Sequence, residues 1–168
     1  MKNIELKVKV NNFRNVIGIL KKLRAKHVGT LNQIDTYYNA DKGRLKIREI
    51  DDKDFQKIFY QRPDKKASKI SLYSVSKIKK SQLQKERNNL KRSLGEKVIV
   101  KKQRDLWILK NTRVHLDRVK DLGNFLELET QIEKAGKNAK KEHKEIIKLL
   151  NLSKHKAFSV SYSDMLLK

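Results

Sequence analysis

Two short segments from opposite ends of the chain, Ile4-Glu5-Leu6-Lys7-Val8-Lys9-Val10 and Phe125-Leu126-Glu127-Leu128-Glu129, alternate strictly between apolar and charged residues. Period-2 alternation places Glu5, Lys7 and Lys9 on one face of the first strand and Glu127 and Glu129 on one face of the second. Ile4, Leu6, Val8, Val10, Leu126 and Leu128 take the opposite faces. If the fold joins the chain ends, three carboxylates gather beside several cations. Carboxylates offer the oxygen ligands that a hard divalent metal takes, and the cations suit phosphate oxygens. Taken singly, either strand also fits an ordinary half-solvated sheet.

The remaining cations follow the same logic. Of 42 basic residues, 32 are Lys spread through the chain and 10 are Arg. Arg44, Arg48, Arg62, Arg104 and Arg113 all fall in segments that read as strands, where a guanidinium can grip phosphate bidentately. Arg44, Lys46 and Arg48 share a face, as do Lys102 and Arg104, and as do Arg113, His115 and Asp117. His115 reads as a hydrogen-bonding strand residue rather than a base. Tyr37, Tyr38 and Trp107 read as packing residues rather than platforms for a nucleobase. With no Cys and no ligand spacing among His27, His115, His143 and His155, any metal is expected to rest on carboxylates.

These residues must be positioned by about eight strands and three helices. A helix is expected over about 11–26, with Phe13, Val16, Ile17, Leu20 and Leu23 at helical spacing. Strands are expected over 28–39, 44–50, 55–62 and 70–78, and a polar helix over 81–94 closed by Gly95. An antiparallel meander follows over 98–104, 106–110, 112–119 and 125–132, then a helix over 138–150 and a tail without an assigned element. The reading is an α+β fold: an eight-stranded antiparallel barrel with helices packed outside, one domain over 1–168.

The helices need apolar sheet surface, which sends the apolar strand faces outward and the charged faces inward. Buried charges require partners or a charged ligand. Lys7, Lys9, Arg44, Lys46, Arg48, Arg62, Lys102, Arg104 and Arg113 then outnumber Glu5, Asp117, Glu127 and Glu129, an excess that a triphosphate would offset. Net charge +23 calls for an anionic partner, and nucleic acid stays open as a rival. The carboxylates favour metal plus polyphosphate, because they repel a phosphate backbone in the absence of metal. The opening residues lack the apolar run of a signal peptide, and no stretch is long and apolar enough to span a membrane, so a cytoplasmic protein is expected.

Several segments, in order along nearly the whole chain, resemble the CYTH superfamily. They are Ile4-Glu5-Leu6-Lys7, Gln33-Ile34-Asp35-Thr36-Tyr37-Tyr38, Gly43-Arg44-Leu45-Lys46-Ile47-Arg48-Glu49, Gln61-Arg62-Pro63-Asp64, Val100-Lys101-Lys102-Gln103-Arg104, His115-Leu116-Asp117-Arg118-Val119, Leu122-Gly123-Asn124-Phe125-Leu126-Glu127-Leu128-Glu129 and Ser161-Tyr162-Ser163-Asp164. Within that superfamily the likeness is to the class IV adenylate cyclase branch, with thiamine triphosphatases and inorganic triphosphatases as relatives. The resemblance implies an eight-stranded tunnel that binds a triphosphate with Mg²⁺ or Mn²⁺. It implies Glu5, Glu127, Glu129 and Asp117 as metal ligands, and Lys7, Arg44, Lys46, Arg48, Arg62, Lys102, Arg104 and Arg113 as phosphate ligands. Lys7, Glu127 and Glu129 are expected to carry catalysis. The implied reaction is ATP to cyclic AMP and pyrophosphate. Hydrolysis of thiamine triphosphate, inorganic triphosphate or nucleotides is the alternative in the same site, and a non-catalytic polyphosphate or nucleic-acid binding module is the alternative of another class. No membrane partner is expected, and the chain is expected to be a monomer or homodimer. The sequence departs from the family signature Glu-x-Glu-x-Lys at Asn3, which offers a neutral oxygen without charge. Lys46 stands where Arg is commoner and lacks the fork geometry.

Overall fold

A computed structural model describes residues 1–61 and 68–168, the side chain of Lys69 excepted. Eight strands, β1 (Lys2–Lys9), β2 (Lys26–Tyr38), β3 (Arg44–Ile50), β4 (Asp54–Gln61), β5 (Lys69–Ile78), β6 (Glu96–Leu109), β7 (Thr112–Val119) and β8 (Gly123–Gln131), close into a barrel in the order β1-β5-β4-β3-β2-β6-β7-β8. Every neighbouring pair is antiparallel. The strands from the two chain ends are therefore neighbours, with Glu5 opposite Glu129 and Lys7 opposite Glu127.

The apolar faces do point outward. Val8, Trp107, Leu109, Val114, Leu116, Leu126 and Leu128 form the main core with Phe13, Val16, Leu20, Ile146, Leu150 and Leu152, beneath α1 (Arg14–Lys22) and α4 (Ala139–Leu149). The helix α2 (Lys80–Leu94) buries no residue and is held to the opposite wall by charge, through Arg87 to Glu49 and Lys57 to Glu86. Gly43 sits in the turn before β3 at φ +75°, where an added Cβ would stand 2.8 Å from the Tyr60 carbonyl oxygen.

Three differences from the expected elements have physical causes. Where two strands are expected, over 98–104 and 106–110, the single strand β6 runs through Glu96–Leu109. Asp105, the polar residue that suggested a break, points outward and accepts hydrogen bonds from Trp107 Nε1 and Thr30 Oγ1 while its backbone stays in register. Two further helices, α3 (Ile132–Ala135) and α5 (Tyr162–Leu166), are too short to show apolar periodicity. The α5 helix nonetheless had a signal: Ser161 and Asp164 form a capping box, each side chain accepting the other's backbone N–H. It lies across one end of the barrel, where Tyr162 packs with Tyr37, Val100, Val119 and Phe125.

The outward core can be tested at α4. Replacing the fully buried Ile146 by Ala should cost about 2–5 kcal/mol in a urea unfolding experiment. A loss under about 1 kcal/mol would mean that the helix does not carry the barrel's apolar face.

Candidate functional site

The inward faces line a cavity of about 290 Å³. Its wall includes Glu5 and Lys7 from β1, Lys46 and Arg48 from β3, Lys102 and Arg104 from β6, Arg113 and His115 from β7, and Glu127 and Glu129 from β8. The strands bring together most of the residues singled out from sequence. Arg44 sits nearer the α5 end, its Nη2 2.7 Å from Asp164 Oδ2. Lys9, expected inside, is exposed at the last position of β1, with its ammonium 5.5 Å from the Phe125 ring centroid. Arg62 lies outside the described residues.

Two carboxylates organise the cations. Arg48 donates to both oxygens of Asp35 at 2.7 Å, and Lys46 donates to Asp35 Oδ2 at 2.7 Å. Arg104 donates to both oxygens of Asp117 at 2.7 Å; Tyr162 donates to Asp117 Oδ2 at 3.0 Å, and Lys102 Nζ lies 3.7 Å from the same oxygen. Asp117, expected among the metal ligands, is thus held by cations and stands outside the group formed by His115, Glu127 and Glu129. Asp35 had no assigned role in the sequence reading, although its alternation with Gln33 and Tyr37 marks it as inward-facing. The charge count changes as well. Asp35 joins the interior and Lys9 leaves it, so among the described residues seven cations of that set face five carboxylates.

Burial and pairing set the protonation of these groups. Burial alone would raise Asp35, but Arg48, Lys46 and Lys102 hold it well below the usual carboxylate range. Asp117 is buried too, yet Arg104 and Lys102 bring it down to about 2. Burial and the neighbouring Arg48 lower Lys46 to about 7, with Asp35 offsetting only part. Burial and Arg104 lower Lys102 to about 8. Glu127 stays ionised, the cost of burial outweighed by Lys7, His115 and Arg104.

The carboxylate end is built from β7, β8 and β1. Lys7 Nζ lies 3.1 Å from Glu127 Oε1 and donates to the Val160 carbonyl at 3.1 Å. Arg104 Nη2 lies 3.1 Å from Glu127 Oε2, and Arg113 Nη1 lies 3.7 Å from Glu129 Oε2. Ligand atoms of His115, Glu127 and Glu129 all lie within 4.8 Å of one another. Glu5 lines the same cavity and accepts a hydrogen bond from Ser71 Oγ, but stands outside that group of three. Asn3, buried beside them, donates from Nδ2 to Glu129 Oε2 at 3.4 Å and to the Tyr73 hydroxyl at 3.2 Å. Its Oδ1, like Gln33 Oε1 and His115 Nδ1, is buried without a hydrogen-bond partner among the described residues. Ionised carboxylates beside unpartnered buried acceptors suit a divalent cation and the waters or hydroxyls it carries.

Comparisons with known proteins agree with this architecture. A Methanocaldococcus jannaschii protein named as a candidate adenylate cyclase is 31% identical, the alignment covering 98% of each chain. A conserved hypothetical protein from Pyrococcus furiosus has the same fold at TM-score 0.82 and 21% identity, over 96% of this chain and 98% of that one. A Hippeastrum protein, described as a candidate adenylyl cyclase with a dominant triphosphatase activity, matches at TM-score 0.67 and 15% identity, over 99% and 94%. The CYTH domain model matches residues 1–162, and with the closed eight-stranded barrel and its charged interior this chain belongs to the CYTH domain family.

Proposed function

We propose that this chain is a divalent-metal-dependent enzyme that binds a triphosphate in the tunnel and converts ATP to cyclic AMP and pyrophosphate. The observation that supports it is the division of the wall: Glu127 and Glu129 on β8 stand four strands, and Glu5 on the adjacent β1 three strands, around the barrel from Lys46 and Arg48 on β3. Glu127, Glu129 and Glu5 would hold Mg²⁺ or Mn²⁺. When bound, such an ion supplies positive charge to phosphate oxygens and eases deprotonation of an attacking hydroxyl.

The chain's own residues do the rest by positioning. Lys46, Arg48, Lys102 and Arg104 direct N–H donors at the phosphate chain while Asp35 and Asp117 fix their headgroups. Lys7 and Arg104, both held against Glu127, sit where the metal end meets the phosphate end. In cyclisation the ribose 3′ oxygen bonds to the α-phosphorus, and the bond from that phosphorus to pyrophosphate breaks. The second reading is hydrolysis at a terminal phosphorus. It draws support from the cavity of about 290 Å³, at the small end of the roughly 300–1,000 Å³ of ligand pockets, which suits a phosphate tail or inorganic triphosphate better than a whole nucleotide. The Hippeastrum protein's described activity favours the same reading. Which reaction occurs depends on which phosphorus is held beside Glu127 and Glu129.

Incubation with ATP, thiamine triphosphate and tripolyphosphate, each with Mg²⁺ or Mn²⁺, should give cyclic AMP and pyrophosphate from ATP, or orthophosphate under the second reading. Glu127→Gln should lower kcat by about 100-fold or more. The proposal fails if nothing turns over and Glu127→Gln leaves metal-dependent tripolyphosphate binding unchanged.

Binding should also be linked to protons. In the free tunnel Lys46 and Lys102 titrate at about 7 and about 8. Bound phosphate raises both, so affinity is fully present below the lower value and falls as pH rises past them. Calorimetry at pH 7.5 in two buffers of different ionisation enthalpy should report proton uptake on tripolyphosphate binding. Lys46→Arg should reduce that uptake, and zero uptake in the unmodified protein would contradict the assignment.

A further inference from the structure

The feature that the proposed chemistry leaves unused is His115. It is 3% exposed, at the centre of β7, and its Nδ1 is buried with no hydrogen-bond partner among the described residues. That nitrogen lies 3.7 Å from Glu127 Oε2 and 3.9 Å from Glu129 Oε1. Both separations exceed a hydrogen bond. They suit donor atoms that share an ion, since ligands about 2.0–2.3 Å from a metal stand roughly 3–3.5 Å from one another. Glu127 Oε1 faces Lys7, Glu129 Oε2 faces Asn3 and Arg113, and Glu127 Oε2 accepts from Arg104 Nη2 at 3.1 Å, a single contact that leaves that oxygen a second lone pair for an ion. One imidazole nitrogen and one oxygen from each glutamate thus face a common centre.

We propose that His115 Nδ1 completes a one-histidine, two-carboxylate metal site with Glu127 and Glu129, and that the site prefers Mn²⁺ and related transition ions over Mg²⁺. This rests on the metal-dependent reading above, puts His115 in the ligand place which that reading gives to Glu5, and names the metal which it leaves between two. Mg²⁺ takes an all-oxygen octahedron and parts reluctantly with water, whereas imidazole suits first-row transition ions. Asn3 works in the same direction. It adds no charge to the site, and its amide N–H turns Glu129 so that Oε1 faces the histidine. With less negative charge than a three-carboxylate site, this site gains less from Mg²⁺ and depends more on the nitrogen donor. The sequence pointed to carboxylates alone because the spacing of His115 to Glu127 and Glu129 exists only across paired strands, His115 lying opposite Glu127 in the β7–β8 register.

The test uses the full chain and MnCl₂ or MgCl₂ alone, without nucleotide. Electron spin resonance titration should show Mn²⁺ bound at least about 10-fold more tightly than Mg²⁺ competes for it. Electron spin echo modulation of the Mn²⁺ complex should show coupling to an imidazole nitrogen. His115→Gln should abolish that coupling, weaken Mn²⁺ by about 10-fold or more and leave Mg²⁺ affinity within about threefold. Glu127→Gln should weaken both ions. If Mn²⁺ binds without nitrogen coupling, or if His115→Gln leaves the Mn²⁺ to Mg²⁺ ratio unchanged, the histidine site is wrong while the metal-dependent reading stands. If neither ion binds and Glu127→Gln changes nothing, both are wrong. Should His115→Gln fail to fold, the nitrogen coupling in the unmodified protein and its loss on displacement of Mn²⁺ by excess Zn²⁺ decide the matter.

Discussion

The interior of this barrel exists because Asp35 and Asp117 stand between its cations. A strand pattern that turns charges toward the barrel axis and apolar residues toward the helices removes several guanidinium and ammonium groups from water, at a cost of several kcal/mol for each ion left alone. Asp35 serves Arg48 and Lys46, and Asp117 serves Arg104 and Lys102. The bidentate geometry fixes both guanidinium planes before any ligand arrives. Donors held in place need no reorganisation when charge develops in a reaction. The same contacts that make the fold tolerable also make the wall a rigid set of anion donors.

Much of this was visible in the strand alternation. The parity of Glu5, Lys7, Lys46, Arg48, Lys102, Arg104, Glu127 and Glu129 follows from period 2, and the demand of the helices for apolar surface sets which face turns inward. Sequence could not supply the register. Lys9 shares the parity of Lys7 yet lies past the tunnel, because β1 ends there. Asp117 shares the parity of His115, but its strand places it against Arg104 rather than beside Glu129. His115 had no sequence-local partner at ligand spacing and acquired two across the β7–β8 pair. The short α5 offered too few residues for a periodic signal, although the spacing of Ser161 and Asp164 announced its cap.

The small cationic excess inside the tunnel also relocates the meaning of the net +23. Apart from the residues outside the described set, almost all of that excess lies on the exterior, on faces such as the Lys140, Lys141, Lys144 and Lys148 row of α4. The basic character of the chain therefore says little about the ligand inside. It describes a long-range field that draws anions toward the molecule and weakens as salt rises.

The packing of Tyr162 across one end has a consequence for traffic. With its ring against Phe125, its hydroxyl on Asp117 and the Lys7 ammonium 4.0 Å from its centroid, that end is corked by groups the interior itself holds in place. Among the described residues that end is closed to a through-going chain, and an anion entering from the other end would leave by the route it came.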